Sequence, residues 1–121
     1  MIVYKELSFE IMKACFEVHN ALGPGFTERI YENALAIELE SKGIVVEHQK
    51  WIEVQYKHRK VGRYRLDLVI EGKILLELKA RMELDKIFQV QVFSYLKATG
   101  LKLGVLVNFG RSRVEYKRIV F

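Results

Sequence analysis

The feature that most constrains the fold is a pair of two-residue-period segments, Val61–Ile70 and Ile74–Ala80, separated only by Glu71-Gly72-Lys73. Side chains alternate along a strand, so Tyr64, Leu66, Leu68 and Ile70 are expected on one face, with Arg63, Arg65, Asp67 and Val69 on the other. In the second segment Ile74, Leu76, Leu78 and Ala80 face one way, and Leu75, Glu77 and Lys79 the other. A two-residue loop would place Leu76 beside Asp67 and mix apolar with charged residues on both faces. A three-residue loop sets Ile70 against Ile74, Leu68 against Leu76 and Leu66 against Leu78, and brings Asp67 opposite Glu77 and Arg65 opposite Lys79. Burying one all-apolar face outweighs a turn preference worth about 1 kcal/mol, so this register is expected.

Two carboxylates side by side repel, and something must offset that repulsion. A hard divalent cation such as Mg²⁺ does so, bound by one or two carboxylates with waters completing its shell. Lys79, two residues beyond Glu77 on the same face, is placed to orient a water or to stabilise charge developing on a phosphate. An isolated Glu-x-Lys is ordinarily a solvated ion pair. Here it sits inside Ile74-Leu75-Leu76-Glu77-Leu78-Lys79-Ala80, a run apolar enough for a central strand, where charges are expected to be paired or to bind metal. Asp67, Glu77 and Lys79 therefore form a candidate site for phosphodiester hydrolysis.

The remaining chain reads around this hairpin. Leu7, Ile11, Ala14, Cys15, Val18 and Leu22 recur at steps of three and four and predict a first helix, stopped by Gly23-Pro24-Gly25. A second helix follows, with Thr27 as N-cap, apolar positions at Ile30, Ala34, Leu35, Ile37 and Leu39, and Gly43 at its close. Strands are expected at Ile44–Tyr56 and Val61–Ile70, parted by Lys57-His58-Arg59-Lys60, and at Ile74–Ala80. A third helix from about Glu83 to Thr99 and two strands near Leu103–Asn108 and Val114–Val120 complete the order α-α-β-β-β-α-β-β. With 121 residues and no repeat or low-complexity stretch, one α/β domain over residues 1–121 is expected, its mixed sheet flanked by helices.

Asp67, nine intervening residues and Glu77-Leu78-Lys79 resemble the motif that names the PD-(D/E)XK nuclease superfamily, with Leu66 where the motif has proline. Gln91-Val92-Phe93-Ser94-Tyr95 is similar to the Q-x-x-x-Y element of its RecB-like branch, and i, i+4 spacing puts Gln91 and Tyr95 on one helix face. Gly25-Phe26-Thr27-Glu28-Arg29-Ile30-Tyr31 resembles the signature of the GxxExxY protein family. That family's wider pattern resembles Val18 to Gly25, Tyr95 to Gly100 and Leu106-Val107-Asn108-Phe109-Gly110. The resemblance implies a restriction-endonuclease-like core and a metal site of Asp67, Glu77 and Glu28, with Mg²⁺ or Mn²⁺ as cofactor. It implies further that Lys79 is the catalytic cation, that Gln91 and Tyr95 line the site, and that Tyr31 and His19 lie beside Glu28. Taken by itself, Glu28 is a first-turn glutamate at the positive end of a helix dipole, and His19 lies on the buried side of its helix. Many members of the family carry a histidine about three residues before the helix glutamine, where this chain has Phe88.

The net charge of +5 suits a polyanionic partner, for which nucleic acid, DNA foremost, is the expectation. Lys57, His58, Arg59, Lys60, Arg63, Arg65 and Arg81 would follow its phosphates. The single cysteine, Cys15, leaves no internal disulfide and fits a reducing cytoplasm, and no apolar run is long enough to span a membrane. A homodimer is the expected way for so small a nuclease to reach both strands of a duplex. Two other readings remain: a nucleic-acid-binding module that kept the fold without turnover, and a regulatory domain whose charged face meets a protein partner.

Overall fold

In the computed structural model, which describes residues 3–121, the first apolar stripe closes as read. Helix α1 (Lys5–Leu22) buries Ile11, Ala14, Cys15 and Val18. Gly23 ends it at a φ of 69°, with its N–H donating to the His19 carbonyl at 2.8 Å. Helix α2 (Glu28–Ser41) follows Thr27, whose backbone is extended as in an N-cap but whose side chain makes no capping bond. Leu35 and Leu39 are buried as expected, whereas Ile30 and Ile37 are exposed. The inward stripe of α2 runs through Tyr31, Glu32, Leu35, Ala36 and Leu39, and Ile30 and Ile37, seven apart, fall together outside it.

Five strands form one mixed sheet in the order β1-β2-β3-β4-β5: β1 (Val46–Tyr56), β2 (Arg59–Ile70), β3 (Ile74–Lys79), β4 (Leu103–Asn108) and β5 (Glu115–Val120). Only β3 and β4 run parallel, and such a pair needs a crossover, which α3 (Ile87–Thr99) supplies. One face of the sheet packs Leu68, Ile70, Ile74, Leu76, Leu78, Val105 and Val107 against α1 and α2. The other packs Leu66, Val69, Leu75 and Leu106 against Val92, Tyr95 and Leu96 of α3. Covered on both sides, β3 and β4 are the most apolar strands of the chain. The chain order agrees with expectation, and so does the α/β class.

Among the boundaries that differ, two have a clear local cause. Lys57 and His58 both have positive φ (49° and 63°), the two-residue turn whose twist matches a hairpin, so Arg59 and Lys60 belong to β2 and not to the loop. Helix α3 begins at Ile87, after the expected Glu83, because the Asp85 carboxylate accepts the Ile87 N–H at 2.9 Å and draws the preceding residues into a turn.

The register of the central hairpin holds for Ile70↔Ile74 and Leu68↔Leu76 and stops there. Leu66 does not pair with Leu78, nor Asp67 with Glu77, nor Arg65 with Lys79, because β2 diverges from β3 at Asp67. The expected single apolar face of β2 is also divided. Leu68 and Ile70 join the α1/α2 core, while Leu66 joins the α3 core and Tyr64 stacks on Tyr95 of α3 at 4.3 Å. Alternation therefore reverses across Asp67. It reverses across Gln49 in the facing strand as well, where φ is 49°, while the pairing frame is unchanged from His48↔Leu68 to Lys50↔Leu66.

Gly110, just beyond β4, lies so close to the Ala80–Arg81 backbone that a Cβ there would overlap the Arg81 N and O atoms. Gly110→Ala is expected to destabilise the protein by about 1–3 kcal/mol, since main chain cannot yield as a flexible side chain would. Urea unfolding checks this, and a Cm within error of wild type would contradict it.

Candidate active site

The divergence of β2 from β3 builds the site. With no ladder partner on β3, Asp67 turns its side chain into the gap, where Oδ2 accepts the Leu78 N–H at 2.8 Å. A main-chain donor on β3 that would otherwise be left unpaired is thereby satisfied, and one carboxylate is fixed beside Glu77. Glu77 is 4% exposed. Burial, then the negative charge of Asp67 and a hydrogen bond with it, push its carboxyl up from 4.5 to about 9, against the opposing pull of Lys79. Without a cation the protonated form of Glu77 is therefore favoured.

Lys79 lies at the mouth of the gap. Its Nζ is 4.0 Å from Oε1 of Glu28, on the first turn of α2, and 4.3 Å from the ring centroid of Phe88 on α3. The Arg81 guanidinium lies over the same ring at 5.1 Å. Phe88, at the position where the resemblance led one to expect histidine, thus holds two cations by their attraction to its π face. Asp67, Glu77, Lys79, Glu28 and Arg81 are brought to one end of the sheet.

Tyr95 reaches the same region from α3. It is buried, its hydroxyl has no hydrogen-bond partner, and burial, the adjacent Tyr64 and the negative charges of Glu77 and Asp67 all push its pKa up. Gln91 is half-buried one turn earlier on α3. Among the described residues no three His, Cys, Asp or Glu side chains converge closely enough to hold a metal ion as a group. The geometry thus supplies two carboxylates, Asp67 and Glu77, with Glu28 drawn to Lys79. Two carboxylates and an orphaned hydroxyl fit an ion that keeps several of its waters, as Mg²⁺ does, because such waters would give Tyr95 the partner it lacks.

The signature residues upstream have another task. Tyr31 points into the core, away from Glu28, although the two are only three positions apart. Its hydroxyl donates to the Gly23 carbonyl and accepts the Phe26 N–H at 3.3 Å, closing the Gly23-Pro24-Gly25 loop, and its ring stacks on Phe109 at 4.6 Å. His19 stacks on the other side of this group, 6.2 Å from Phe109, and its Nε2 bonds the Arg111 carbonyl at 2.8 Å. Tyr31 thus braces the loop that leads into Glu28, and His19 ties α1 to the Arg111 main chain. Neither reaches the carboxylate pair by any contact in the structure.

Sequence reasoning assigned no role to Asn108 or Glu32. Asn108 is wholly buried, and its carboxamide pairs with the Arg81 main chain both ways, accepting from N and donating to O at 2.9 Å each. It thereby substitutes for a strand where β3 ends. Its signals in the sequence were its place in Leu106-Val107-Asn108-Phe109-Gly110 and its position as a polar residue closing the apolar run Leu103–Val107. Glu32 is also buried, bonded by the Gln49 carboxamide and 3.6 Å from Arg29, and burial together with the Asp67 charge raises its pKa. With Thr27, Glu28, Arg29, Gln49, Arg65 and Asp67 it lines a cleft of about 390 Å³ leading to Asp67. Lys60, by contrast, sits near the hairpin tip, 3.7 Å from Glu53 and apart from the carboxylates, and Arg63 lies on the same outer stretch of β2.

The raised Glu77 pKa carries a stability signature. A carboxyl whose folded pKa lies above its unfolded value stabilises the fold at low pH and loses that contribution as pH rises through the folded pKa. In EDTA, wild-type stability is expected to decline between pH 4.5 and about 9, and Glu77→Gln, which has no proton to release, to show a flatter profile. Urea midpoints across that range test this, and parallel profiles would rule out the buried acid.

The fold has counterparts among known proteins. The chain is similar to the protein in the crystal structure of SSO0001, with a TM-score of 0.60, 22% identity, and coverage of 97% of this chain and 57% of that one. It is also similar to an alkaline exonuclease, LHK-Exo, from Laribacter hongkongensis, with a TM-score of 0.54, 11% identity, and coverage of 99% and 71%. The chain thus spans a little over half the length of the first of these structures. At such identities the likeness is one of fold. No curated protein matches the sequence. No helix among the described residues is long and apolar enough to cross a membrane. A family model described as PD-(D/E)XK nuclease superfamily matches residues 5–119, spanning the Asp67 and Glu77-Leu78-Lys79 site, and the chain belongs to that superfamily.

Proposed function

We propose that this protein hydrolyses phosphodiester bonds in nucleic acid, DNA foremost, using Mg²⁺ or Mn²⁺ held by Asp67 and Glu77. The observation that carries this reading is the convergence of Asp67, Glu77 and Lys79 where β2 leaves β3. Nucleases of the superfamily generally use divalent metal ions, and such an ion supplies an activated water and neutralises charge on the phosphate. The chain's own groups do the rest. Asp67 is pre-positioned by the Leu78 N–H. Asp67 and Glu77 would hold the ion, and Glu77 would have to be deprotonated to serve as a ligand. Lys79, steadied by Phe88, stands where an ammonium stabilises charge developing on a phosphate oxygen. Glu28 holds that ammonium at the mouth and orients it.

With Mg²⁺ or Mn²⁺ the purified protein is expected to cut DNA or RNA, and Glu77→Ala and Lys79→Ala to lower the rate about a hundredfold or more without unfolding the chain. Calorimetric titration with Mn²⁺ is expected to show binding that Asp67→Asn abolishes. Binding of nucleic acid without cutting would support a module that kept the fold alone, and absence of both over a broad substrate panel would support a protein partner. Phe88→Leu, which removes the π face under Lys79 but not the packing, is expected to slow cleavage about tenfold. An unchanged rate would show that Phe88 plays no part in placing the lysine.

A further inference from the structure

Beyond the reversal at Gln49 and Asp67, strands β1 and β2 continue as a two-stranded arm, Lys50–Leu66, with its turn at Lys57-His58. The arm holds Lys50, Lys57, Arg59, Lys60, Arg63 and Arg65 against the single acid Glu53. Its net charge of +5 equals that of the entire chain, so the rest of the protein is neutral in sum.

Two of the six cations, Arg63 and Arg65, share one face of the arm with the indole. Trp51 pairs directly with Arg65, and Arg63 lies two residues from Arg65 on the same strand, so these three side chains share the side of the arm away from α3, while Lys50, Ile52 and Glu53 line a cavity with Ala98 and Thr99 of α3. The Arg63 guanidinium lies 4.2 Å from the Trp51 ring centroid and that of Arg65 lies 5.4 Å from it. Glu53, opposite Arg63, pairs with Lys60 instead. Among the described residues neither guanidinium has a carboxylate partner or a hydrogen-bond acceptor. An indole therefore holds two exposed guanidiniums in place and leaves their N–H groups unused, while its own ring remains half exposed. Arg65 also lines the cleft with Glu28, Gln49 and Asp67, so the row runs from the arm to the carboxylates.

We infer that this face of the arm binds a single strand of nucleic acid, with successive phosphates on Arg63 and Arg65 and an unpaired base stacked on Trp51, and feeds it toward Asp67. This rests on the nuclease reading for its direction, but the binding surface stands on its own residues. Guanidiniums without acceptors match phosphate oxygens. A half-exposed indole offers a stacking surface that an unpaired base can use and a paired one cannot. The charge concentrated on the arm supplies a salt-dependent attraction.

The test uses intact protein in EDTA with fluorescein-labelled oligothymidylate and, separately, a duplex of equal length, so that no cleavage is required. Trp51 is the only tryptophan of the chain and reports directly on its own surroundings. Oligothymidylate is expected to quench Trp51 emission, and Trp51→Ala to weaken its binding about tenfold, while Trp51→Phe retains most of the affinity. Arg63→Gln with Arg65→Gln is expected to weaken binding and flatten its dependence on salt. Unchanged emission, wild-type affinity in Trp51→Ala, or equal quenching by the duplex would overturn the inference. Tight, Trp51-dependent binding by a protein that never cuts would sustain it while removing the nuclease reading. Cleavage with normal binding in Trp51→Ala would do the reverse.

Discussion

The hydrogen bond from the Leu78 N–H to Asp67 is the contact on which the site depends. A β-sheet satisfies its main-chain donors by pairing, and two strands part only where something else takes up those donors. Asp67 does so with a carboxylate, so the departure of β2 from β3 and the burial of an acid beside Glu77 become one event. The reversal at Gln49 in β1 lets the departing hairpin keep its frame while its faces exchange. Below that point β2 is buried in the core and β1 packs Val46 against it. Above it they form an arm whose outer face meets solvent.

The electrostatics follow from that arrangement. A buried acid beside an ionised one is unstable without compensation, and the chain supplies only part of it through Lys79. That lysine is shared between Glu28 and the neutral ring of Phe88, so it is oriented without being fully neutralised by either carboxylate of the pair. Protonation of Glu77 closes the remaining deficit. Burial and the Asp67 charge thus favour the protonated form of Glu77, while Lys79 opposes it.

Much of this was legible in the order of residues. Element types and the sheet class followed from period and turn residues, and the pairing of Ile70 with Ile74 followed from requiring apolar neighbours for apolar residues. The carboxylates and Lys79 were legible because charge in so apolar a run needs a reason. What period-two reading could not see was the reversal at Asp67, since strict alternation is its premise. It assigned Leu66 to the same face as Leu68, and the structure sends the two to opposite cores. Tyr31 was misplaced for a related reason. Three-residue spacing on a helix brings side chains near each other without deciding which lies at the boundary of the buried stripe, and Tyr31 falls inside it while Glu28 does not. The task of Asn108 was not legible, because its partner is main chain, which composition does not reveal.

The residues that make this chain recognisable are mostly those that hold it together. Tyr31 ties the Gly23 loop to Phe109, His19 ties α1 to Arg111, and Asn108 and Gly110 fasten the segment after β3. All of them surround the carboxylates without belonging to them. A change at Glu77 or Lys79 would therefore alter the charges at the end of the sheet while leaving these braces intact, so the scaffold and what it presents can vary separately.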